Sequence, residues 1–477
     1  MFTDATEALE FVVSEGVQMV DLKTVDLLGR RRHVTLPAGH LSEETLLHGT
    51  GVDTSSYVGY KSVEAGDMRV VPDLSTGMLD PFCRATTLSF ICDIVEPTGG
   101  QAYARDPRGV ARRAEQHFSE VVSSGHPVFS PEMEFYVFSS AHYGSGMNAA
   151  GFEVDSTAAL WHTPAEGEPR LGHGIPAHGG YHAAPPRDRL SDLRTEMLLA
   201  IEAAGVPVHY HHHEVGAPGQ VEVEVGFGPL LKMSDAVMEM KYLISNIADR
   251  ASMSATFMPK PMFGEAGNGM HVHQYVTDDG GSLFWDPEGS YANLSEMALH
   301  WIGGLLTHAA ALLALTSPST NSYRRLVPGY EAPISAFFGL SNRTAAVRVP
   351  AYSVNERENR IEFRPPDATC NPYLCLAAMT MAGLDGVRRA IDPAAHGFGP
   401  FDQDVVQMAP EQRARITQLP TSLADALDAL ETDHDFLLEG GVFPADLIEE
   451  WIALKREEVA EVNLRPHPHE YVLYYDL

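Results

Sequence analysis

Four short segments of the chain alternate charged or imidazole side chains with apolar ones. In a β-strand, residues i and i+2 share a face, so each segment would present its polar groups on one side. The segments are PEME at residues 131–134, QVEVE at 220–224, MHVH at 270–273 and RIEFR at 360–364. One such segment is typical of a solvated sheet face, but four in one chain, all without Lys, favour a shared metal site.

The types of these side chains indicate which metal would bind. Carboxylates outnumber imidazoles, a balance that favours the hard cations Mg²⁺ or Mn²⁺ over Zn²⁺ or copper. Such cations often serve phosphate substrates. The sequence contains no G-x-x-x-x-G-K-[ST] motif, so phosphoryl transfer would depend on metals and arginines rather than on a phosphate-binding loop.

A histidine cluster lies in the sequence HYHHHEV, at residues 209–215. A zinc site is one interpretation of His209, His211, His212 and His213. Alternation along a strand would send some of these imidazoles to opposite faces, and no Cys accompanies them. Glu214, directly after the cluster, is the better candidate ligand.

The elements that must position these groups indicate an α+β protein. The first hundred residues are rich in strand-like runs, such as TLSFICDIV at residues 87–95. Residues 106–125 predict a helix that Asp106 caps and Gly125 follows, and strands then alternate with long helices. We therefore expect a small strand-rich domain at residues 1–104 and a large sheet-and-helix domain at residues 105–477. The Gly-rich stretch at residues 144–180 predicts loops.

Composition and charge exclude several classes of protein. The chain has 477 residues, with 33 Lys plus Arg against 64 Asp plus Glu and a formal net charge of −31. No basic stripe is available for nucleic acid or an anionic membrane surface. The longest apolar stretch, residues 302–316, is interrupted by His308 and is shorter than the ~20 residues that span a bilayer. The acidic N-terminus is no signal peptide, and the four cysteines form no C-x-x-C, so we expect a cytoplasmic protein.

These segments, taken with their surroundings, resemble type I glutamine synthetase along essentially the whole chain. The most specific stretches are VDTSSYVGYKSVEAGDM (52–68), HHHEVGAPGQVEVEVGF (211–227), TFMPKPMFGEAGNGMHVH (256–273), NSYRRLVPGYEAP (321–333) and RIEFRPPD (360–367). The resemblance implies a β-grasp N-terminal domain followed by the family's catalytic α+β domain. It also implies the reaction: ATP phosphorylates the γ-carboxylate of glutamate, and ammonia displaces the phosphate to give glutamine.

The resemblance assigns two divalent metals, Mg²⁺ or Mn²⁺. The positions that match the ligands of the first metal are Glu134, Glu214 and Glu222. Those that match the ligands of the second metal, beside the nucleotide phosphates, are Glu132, His271 and Glu362. Two cations suit a reaction in which phosphate oxygens, a carboxylate and a leaving group all carry negative charge.

The resemblance also assigns the substrate and nucleotide positions. Arg325 and Arg364 match the arginines that hold the glutamate carboxylates, a task for which a forked guanidinium suits better than Lys. Gly267 matches a position that lines the glutamate pocket. The positions that match contacts to ATP or to the transferred phosphoryl group are Phe227, His273, Arg343, Arg348 and Arg360, with Arg343 placed among the catalytic residues.

Two carboxylates are assigned to ammonium and to closure of the site. Asp53, contributed by a neighbouring subunit in the family, matches the residue that binds and deprotonates ammonium. Glu331 matches a flap residue that closes over the intermediate and takes a proton, which keeps an acyl phosphate away from water. Ser56 and Tyr181 would complete the ammonium pocket. The family assembles as two stacked hexameric rings, so the resemblance implies a dodecamer with active sites between subunits.

The sequence departs from the family pattern at a few positions and leaves alternatives open. Thr54 stands where the family has Gly, and Ala266 stands where it has Asn; His209 and Tyr275 depart from the pattern near the nucleotide. These changes motivate a second hypothesis, a γ-glutamyl ligase that uses an organic amine such as a polyamine or ethanolamine. Retention of Asp53 and Glu331 favours ammonium. A catalytically inactive, structural paralogue is a third hypothesis, against which the intact ligand set argues.

Overall fold

The computed structural model describes residues 2–123, 125–163, 172–353, 355–403, 405, 408–413 and 415–477. Two large sheets, a small two-stranded sheet and the helices form the fold of the described residues, as the predicted α+β class requires. The chain passes from the first sheet to the second through residues 96–106. A domain division near residue 104 stays a prediction.

The N-terminal sheet is mixed and has the strand order β2-β1-β6-β4-β3, with β5 paired to β6. Its strands are β1 (Met19–Val25), β2 (Arg31–Pro37), β3 (Thr50–Asp53), β4 (Asp67–Pro72), β5 (Met78–Leu79) and β6 (Thr87–Val95). Strands β1 and β6 run parallel, and the helices α1 (Ala5–Ser14) and α2 (Glu43–His48) belong to the same part of the chain. The apolar residues between sheet and helices form a core of their own. Asp53 is the last residue of the edge strand β3.

The second sheet is larger and carries the four alternating segments. Its main path is β10-β11-β7-β14-β18-β17-β16, with β12 and β13 paired to β7 and β15 paired to β14. The strands are β7 (His126–Phe138), β10 (Val208–His213), β11 (Gln220–Val225), β12 (Gly228–Pro229), β13 (Ser254–Thr256), β14 (Met270–Asp278), β15 (Gly281–Ser282), β16 (Ser335–Leu340), β17 (Ala345–Val349) and β18 (Ile361–Phe363). All neighbours on the main path are antiparallel except β16 and β17.

A hairpin corrects the prediction that residues 144–180 form loops. Strands β8 (Ser140–Ser145) and β9 (Ala150–Asp155) pair in antiparallel fashion as a separate two-stranded sheet. Both strands are largely exposed and contain few apolar residues. The sequence therefore lacks the alternation of apolar and polar residues that predicts a strand with one buried face. Residues 164–171 of the same stretch lie outside the described residues.

Helices pack against the strands of the large sheet. The helices after residue 104 are α3 (Pro107–Val121), α4 (Ser191–Ala203), α5 (Leu230–Arg250), α6 (Glu296–Thr307), α7 (Ala309–Thr316), α8 (Ser322–Arg325), α9 (Pro372–Arg388), α10 (Pro410–Arg413), α11 (Leu423–Thr432), α12 (Asp435–Leu438), α13 (Ala445–Asn463) and α14 (Pro468–Tyr474). Helix α3 begins as predicted: Asp106 accepts a hydrogen bond from the Gly109 N–H, and Pro107 occupies the first turn.

The apolar stretch at residues 302–316 is buried among these helices. It falls in α6 and α7, which are bent by 74° at His308. Among the described residues, no single helix is long and apolar enough to cross a membrane, and only this bent pair together reaches the required length and composition.

Candidate active site

The pairing of strands in the large sheet brings the four alternating segments onto one surface. Strand β7 lies between β11 and β14, with Glu134 opposite Glu222 and Glu132 opposite His271. One strand further, His273 pairs with Glu362, which in turn pairs with Arg348 of β17. The alternate residues of these strands, such as Val221, Met133 and Val272, are fully buried in the core beneath. The sequence-based prediction that the polar groups share a face is confirmed.

One group of ligand atoms lies at the β10–β11 side of this surface. His212 Nε2 lies 3.0 Å from Glu222 Oε1, and His212 Nδ1 lies 3.7 Å from Glu214 Oε1. These three residues offer ligand atoms within 4.8 Å of one another. Glu134 stands beside them, opposite Glu222 in the sheet, and its Oε2 accepts a hydrogen bond of 2.7 Å from the Gly269 N–H.

A second group lies toward β18. His273 Nε2 is 2.7 Å from Glu132 Oε1, and Glu132, His273 and Glu362 offer ligand atoms within 4.8 Å of one another. His271 Nδ1 lies 3.2 Å from Glu132 Oε2, 3.7 Å from Glu134 Oε1 and 3.6 Å from Glu362 Oε1. His271 therefore stands between the two groups, in contact with carboxylates of both.

Crowded carboxylates raise two pKa values at the first group. Burial, followed by the charges of Glu134 and Glu222, raises the pKa of Glu214 to about 8. Burial, followed by the charges of Glu132 and Glu134, raises the pKa of Glu222 well above its usual range. Carboxylates that repel one another in this way fit a divalent cation, because the cation replaces protons and cancels the repulsion.

Cationic neighbours have the opposite effect at the second group. Burial opposes ionisation of Glu362, but the charges of Arg364 and His273 outweigh it and hold its pKa at about 2. Burial likewise opposes ionisation of Glu132, and His273 and His271 hold the pKa of that carboxyl well below its usual range. Both carboxylates are therefore ionised at neutral pH and available to a divalent cation.

A pH dependence of metal affinity follows from the raised pKa of Glu214. Below pH 8 the free protein holds a proton there that a metal must displace, so affinity for Mg²⁺ should rise with pH. For each displaced proton we expect about tenfold tighter binding per pH unit. Calorimetry between pH 6 and 8, in buffers of different ionisation enthalpy, measures both affinity and proton release. Equal affinity at both pH values with no proton release would contradict this assignment.

Two buried arginines form the wall beside the metal groups. Arg325, at the end of α8, donates from Nη1 to the carbonyl oxygens of Pro365 (2.8 Å) and Pro366 (3.2 Å), and its Nη2 lies 3.3 Å from His271 Nε2. Gly267 packs against this arginine so closely that an added Cβ would lie 2.9 Å from Arg325 Cγ and 2.5 Å from the Pro259 carbonyl oxygen. The predicted glutamate position Gly267 therefore lies directly beside Arg325.

The second buried arginine connects the metal groups to a surface loop. Arg364 pairs through Nη1 with Glu362 and donates from Nη2 to the carbonyl oxygen of Glu331 at 3.2 Å. Its Nε donates to the carbonyl oxygen of Arg343 at 3.1 Å. Arg343 Nη1 and Glu331 Oε2 are 3.6 Å apart on the exposed side, so these predicted catalytic residues meet in one place.

Aromatic and cationic side chains meet at the end of the surface where nucleotide contacts are predicted. The Arg360 guanidinium lies 5.8 Å from the Phe227 ring centroid and 5.0 Å from that of Tyr352, and its Nε is 3.4 Å from His273 Nδ1. Arg348 pairs with Glu362. An aromatic face beside two guanidinium groups fits a purine ring and its phosphates.

The predicted ammonium residues are divided between the two sheets. Tyr181 stacks on His182 at a ring-centroid distance of 4.1 Å and lies edge-on to His212 at 5.5 Å, close to the metal groups. Asp53 and Ser56 are exposed on the N-terminal sheet and its adjoining loop. Within the described part of this single chain, neither makes a hydrogen bond or ion pair with the carboxylate groups of the large sheet.

The departures from the family pattern have a physical account in the structure. Thr54 is buried, donates its hydroxyl to the Gly66 carbonyl oxygen at 3.0 Å and has no positive φ, so the loop needs no glycine there. The Ala266 carbonyl oxygen accepts a hydrogen bond of 2.7 Å from the Tyr136 hydroxyl. Tyr275 packs edge-on against Phe227 at 4.9 Å, and His209 Nδ1 lies 3.2 Å from Glu224 Oε1.

His212 is a member of the metal groups that was not predicted from the sequence. In the sequence it is one of four clustered histidines, and alternation along the strand argued against a zinc site for that cluster. The pairing of His212 with Glu222 across β10 and β11 selects this one imidazole. The only signal in the sequence was its position two residues before Glu214.

Comparison with known proteins agrees with this geometry. The glutamine synthetase catalytic domain matches residues 104–474, and the glutamine synthetase beta-Grasp domain matches residues 16–97. The glutamine synthetases of Streptomyces coelicolor and Frankia alni are each 44% identical to this chain, over 100% of both chains. A cryo-EM structure of Plasmodium falciparum glutamine synthetase superposes with a TM-score of 0.88 at 25% identity, covering 99% of each chain. A GmaS/ADP complex superposes with a TM-score of 0.82 at 26% identity, covering 100% of each chain.

Fold and site together define an ATP-dependent ligase built from a β-grasp domain and a catalytic α+β domain. The chain belongs to the glutamine synthetase family, whose members join ammonia to the acid glutamate at the expense of ATP. The predicted family, fold class and enzyme class are confirmed.

Proposed function

We propose that the chain forms glutamine at the polar face of its large sheet, with two divalent cations, Mg²⁺ or Mn²⁺, at the two ligand groups. The first cation would be held by Glu134, Glu214 and Glu222, with His212 beside them. The second would be held by Glu132, His271 and Glu362, with His273 in reach. When bound, the cations would neutralise the phosphates and the carboxylate that must approach each other. The observation that carries this proposal is geometric: strand pairing brings these carboxylates and imidazoles together on one face of the sheet, with ligand atoms within 4.8 Å of one another in each group.

The reaction proceeds in two steps along this surface. An oxygen of the glutamate γ-carboxylate attacks the γ-phosphorus of ATP, ADP leaves, and γ-glutamyl phosphate forms. The groups that would hold ATP and the transferred phosphoryl are Phe227, His273, Arg343, Arg348 and Arg360. Arg325 and Arg364, with Gly267 beside them, would bind the glutamate carboxylates. Ammonia then attacks the carbonyl carbon of γ-glutamyl phosphate (Cδ of the glutamate), the C–N bond forms, the C–O bond to phosphate breaks and phosphate leaves.

Ammonium needs a base and a closed site before it can attack. Asp53, with Ser56 and Tyr181, would bind ammonium and take its proton, and Glu331 would close over the acyl phosphate and accept a further proton. Glu331 is already close to the site, through Arg343 and the Arg364 contact to its carbonyl oxygen. Hydrogen bonds from the backbone N–H and the side chain of Ser55 lower the pKa of Asp53, so it is ionised and attractive to ammonium at neutral pH.

A shared site between subunits explains the position of Asp53. The residue is exposed on an edge strand of the N-terminal sheet, away from the carboxylates it would serve. We propose a dodecamer of two hexameric rings in which Asp53 of one subunit completes the site of the next. The exposed β8–β9 hairpin and α14, which carry the exposed apolar residues Phe152 and Leu473, offer further contact surface. The free state of all four cysteines supports a cytoplasmic location.

An organic amine is the second candidate acceptor. The rings of Tyr181, His182 and His212 lie within 5.5 Å of one another, centroid to centroid, at the amine end of the site. Aromatic faces attract alkylammonium groups by cation–π interactions, so this cluster would suit an amine with an apolar part.

A panel of amines distinguishes the two acceptors. Phosphate release is measured with ATP, Mg²⁺ and glutamate in the presence of ammonium, ethanolamine or a polyamine, and products are identified by mass. We expect kcat/KM for ammonium to exceed that for every organic amine, with glutamine as the product. Stronger turnover of an organic amine, with a γ-glutamyl amide of that amine as product, would overturn ammonium as the acceptor.

A further inference from the structure

The flap, residues 326–334 between α8 and β16, carries Glu331 and contacts Lys260 through Tyr330, a side chain to which no role has yet been assigned. Tyr330 immediately precedes Glu331, and the ammonium group of Lys260 lies 3.7 Å from the centroid of its ring. Both side chains are half-buried. A Lys ammonium at this distance from an aromatic face is attracted by the ring quadrupole.

Lys260 is itself held firmly against the wall. The backbone N–H of Lys260 donates a hydrogen bond to Asn321 Oδ1 at 2.7 Å, and Asn321 Nδ2 donates to the Lys260 carbonyl oxygen at 3.1 Å. The Lys260 ammonium also donates to the Glu265 carbonyl oxygen. Asn321 directly precedes α8, whose last residue is Arg325. Lys260 is thus a fixed point joined to the element that carries the glutamate arginine.

The flap on the other side of this contact is held at Glu331 by the hydrogen bond from Arg364 to its carbonyl oxygen, and Tyr330 adds a separate contact. Gly329 has a φ of +95° and Glu331 a φ of +55°, so left-handed backbone flanks Tyr330 on both sides. A non-glycine residue in that region is held there by its surroundings. The Glu331 side chain is exposed. The ring centroid of His178 lies 6.1 Å from that of Tyr330. The backbone N–H of His178 donates a hydrogen bond to Glu265 Oε2 at 3.3 Å.

We propose that Lys260 and Tyr330 form a clasp that positions the flap, so that Glu331 excludes water while ammonia attacks the γ-glutamyl phosphate. The proposal rests on the proposed function, in which Glu331 closes the site. Lys260 and Tyr330 are positioning residues and touch no reacting atom. Water and ammonia both break the same C–O bond and release phosphate, but only ammonia forms glutamine. The ratio of phosphate released to glutamine formed therefore reports how well the clasp works.

Two variants remove the clasp from opposite sides. Tyr330→Leu removes the ring and leaves the Lys260 bonds to Asn321 and Glu265, and Lys260→Met keeps the length of the side chain and removes the charge. We expect each to raise the excess of phosphate over glutamine, expressed per glutamine formed, about three- to tenfold, the range of a half-buried cation–π contact. The double variant should be no worse than either single variant, because both break one contact.

A conservative variant separates the clasp from a general structural role. Tyr330→Phe keeps the ring, and within the described residues the Tyr330 hydroxyl makes no hydrogen bond, so its ratio should match that of the wild-type enzyme. Hydrogen exchange of the 326–335 peptide gives a second readout that needs no turnover, and it should be faster in Tyr330→Leu than in Tyr330→Phe. A wild-type ratio and wild-type exchange in both Tyr330→Leu and Lys260→Met would overturn the clasp.

The two readouts also separate the clasp from the proposed function. If the wild-type enzyme forms no glutamine, the proposed function fails whatever the variants do. If it forms glutamine and the hydrogen exchange responds while the ratio does not, the contact holds the flap without controlling water, and the clasp as proposed is wrong.

Discussion

Asp53→Ala is expected to lower kcat/KM for ammonium by about 10²- to 10⁴-fold, the usual contribution of a positioned general base. Affinity for ATP should stay near the wild-type value, because Asp53 is not among the residues proposed to contact the nucleotide. Steady-state kinetics with varied ammonium, together with equilibrium binding of ATP, measure the two quantities separately. Equal loss of both would contradict the role assigned to Asp53.

A matched control tests whether the loss is specific to this carboxylate. Glu64 is an exposed carboxylate on the same β3–β4 connection, and Glu64→Ala changes the local charge by the same amount. It should keep most of its turnover with ammonium. If Glu64→Ala loses as much as Asp53→Ala, the effect comes from the charge or fold of the loop, and the specific role of Asp53 fails.

Mixed oligomers test whether Asp53 acts in the site of a neighbouring subunit. Subunits carrying Asp53→Ala and subunits carrying Glu331→Ala would each be inactive alone. If every site combines Asp53 from one subunit with Glu331 from another, random coassembly restores roughly a quarter of the sites. Assembly into mixed oligomers is checked by affinity tags on the two variants. No recovery in verified mixed oligomers would contradict a shared site.

Glu134→Ala is the second large expected effect, and it concerns the first metal. The Mg²⁺ concentration for half-maximal activity should rise by roughly 100-fold or more, since even residues that only support metal ligands are worth 10- to 100-fold. Removal of its charge should also lower the pKa of Glu214, which Glu134 helps to raise. Activity as a function of Mg²⁺ concentration is the measurement, and an unchanged metal requirement would refute Glu134 as a ligand.

Two further variants test whether the effect of Glu134→Ala comes from the loss of its charge at this position. Glu134→Gln keeps an oxygen that can accept the hydrogen bond from the Gly269 N–H, so it tests the charge without removing the side chain. It should still raise the metal requirement. Glu196→Ala removes an exposed carboxylate from α4 and should leave the requirement unchanged.

Strand alternation allowed the polar face of the site to be predicted from the sequence. Glu132, Glu134 and Glu222 are each flanked by apolar residues that the core needs, so burial of the valines and methionine decides which way the carboxylates point. The same reasoning cannot supply pairing between strands. That His212 faces Glu222, and that His271 stands between both ligand groups, follows from long-range register.

Loop conformation and contacts between loops could not be predicted from the sequence. No local pattern indicates the positive φ of Glu331. The contact between Lys260 and Tyr330 joins residues 70 positions apart in the chain, and no local pattern indicates it either. The effect of Thr54 was also open in the sequence, because a glycine-to-threonine change matters only where φ is positive. The structure shows that this residue needs no such backbone.

Isotope transfer from glutamate to phosphate tests the central claim most directly. Glutamate labelled with ¹⁸O in its γ-carboxylate is converted with ATP, Mg²⁺ and ¹⁵N-ammonium, and the products are analysed by mass spectrometry. Because the γ-carboxylate oxygen that attacks phosphorus leaves with the phosphate, each phosphate should carry one ¹⁸O and each glutamine one ¹⁵N. Phosphate without ¹⁸O, or turnover of ATP without labelled glutamine, would contradict a reaction through γ-glutamyl phosphate.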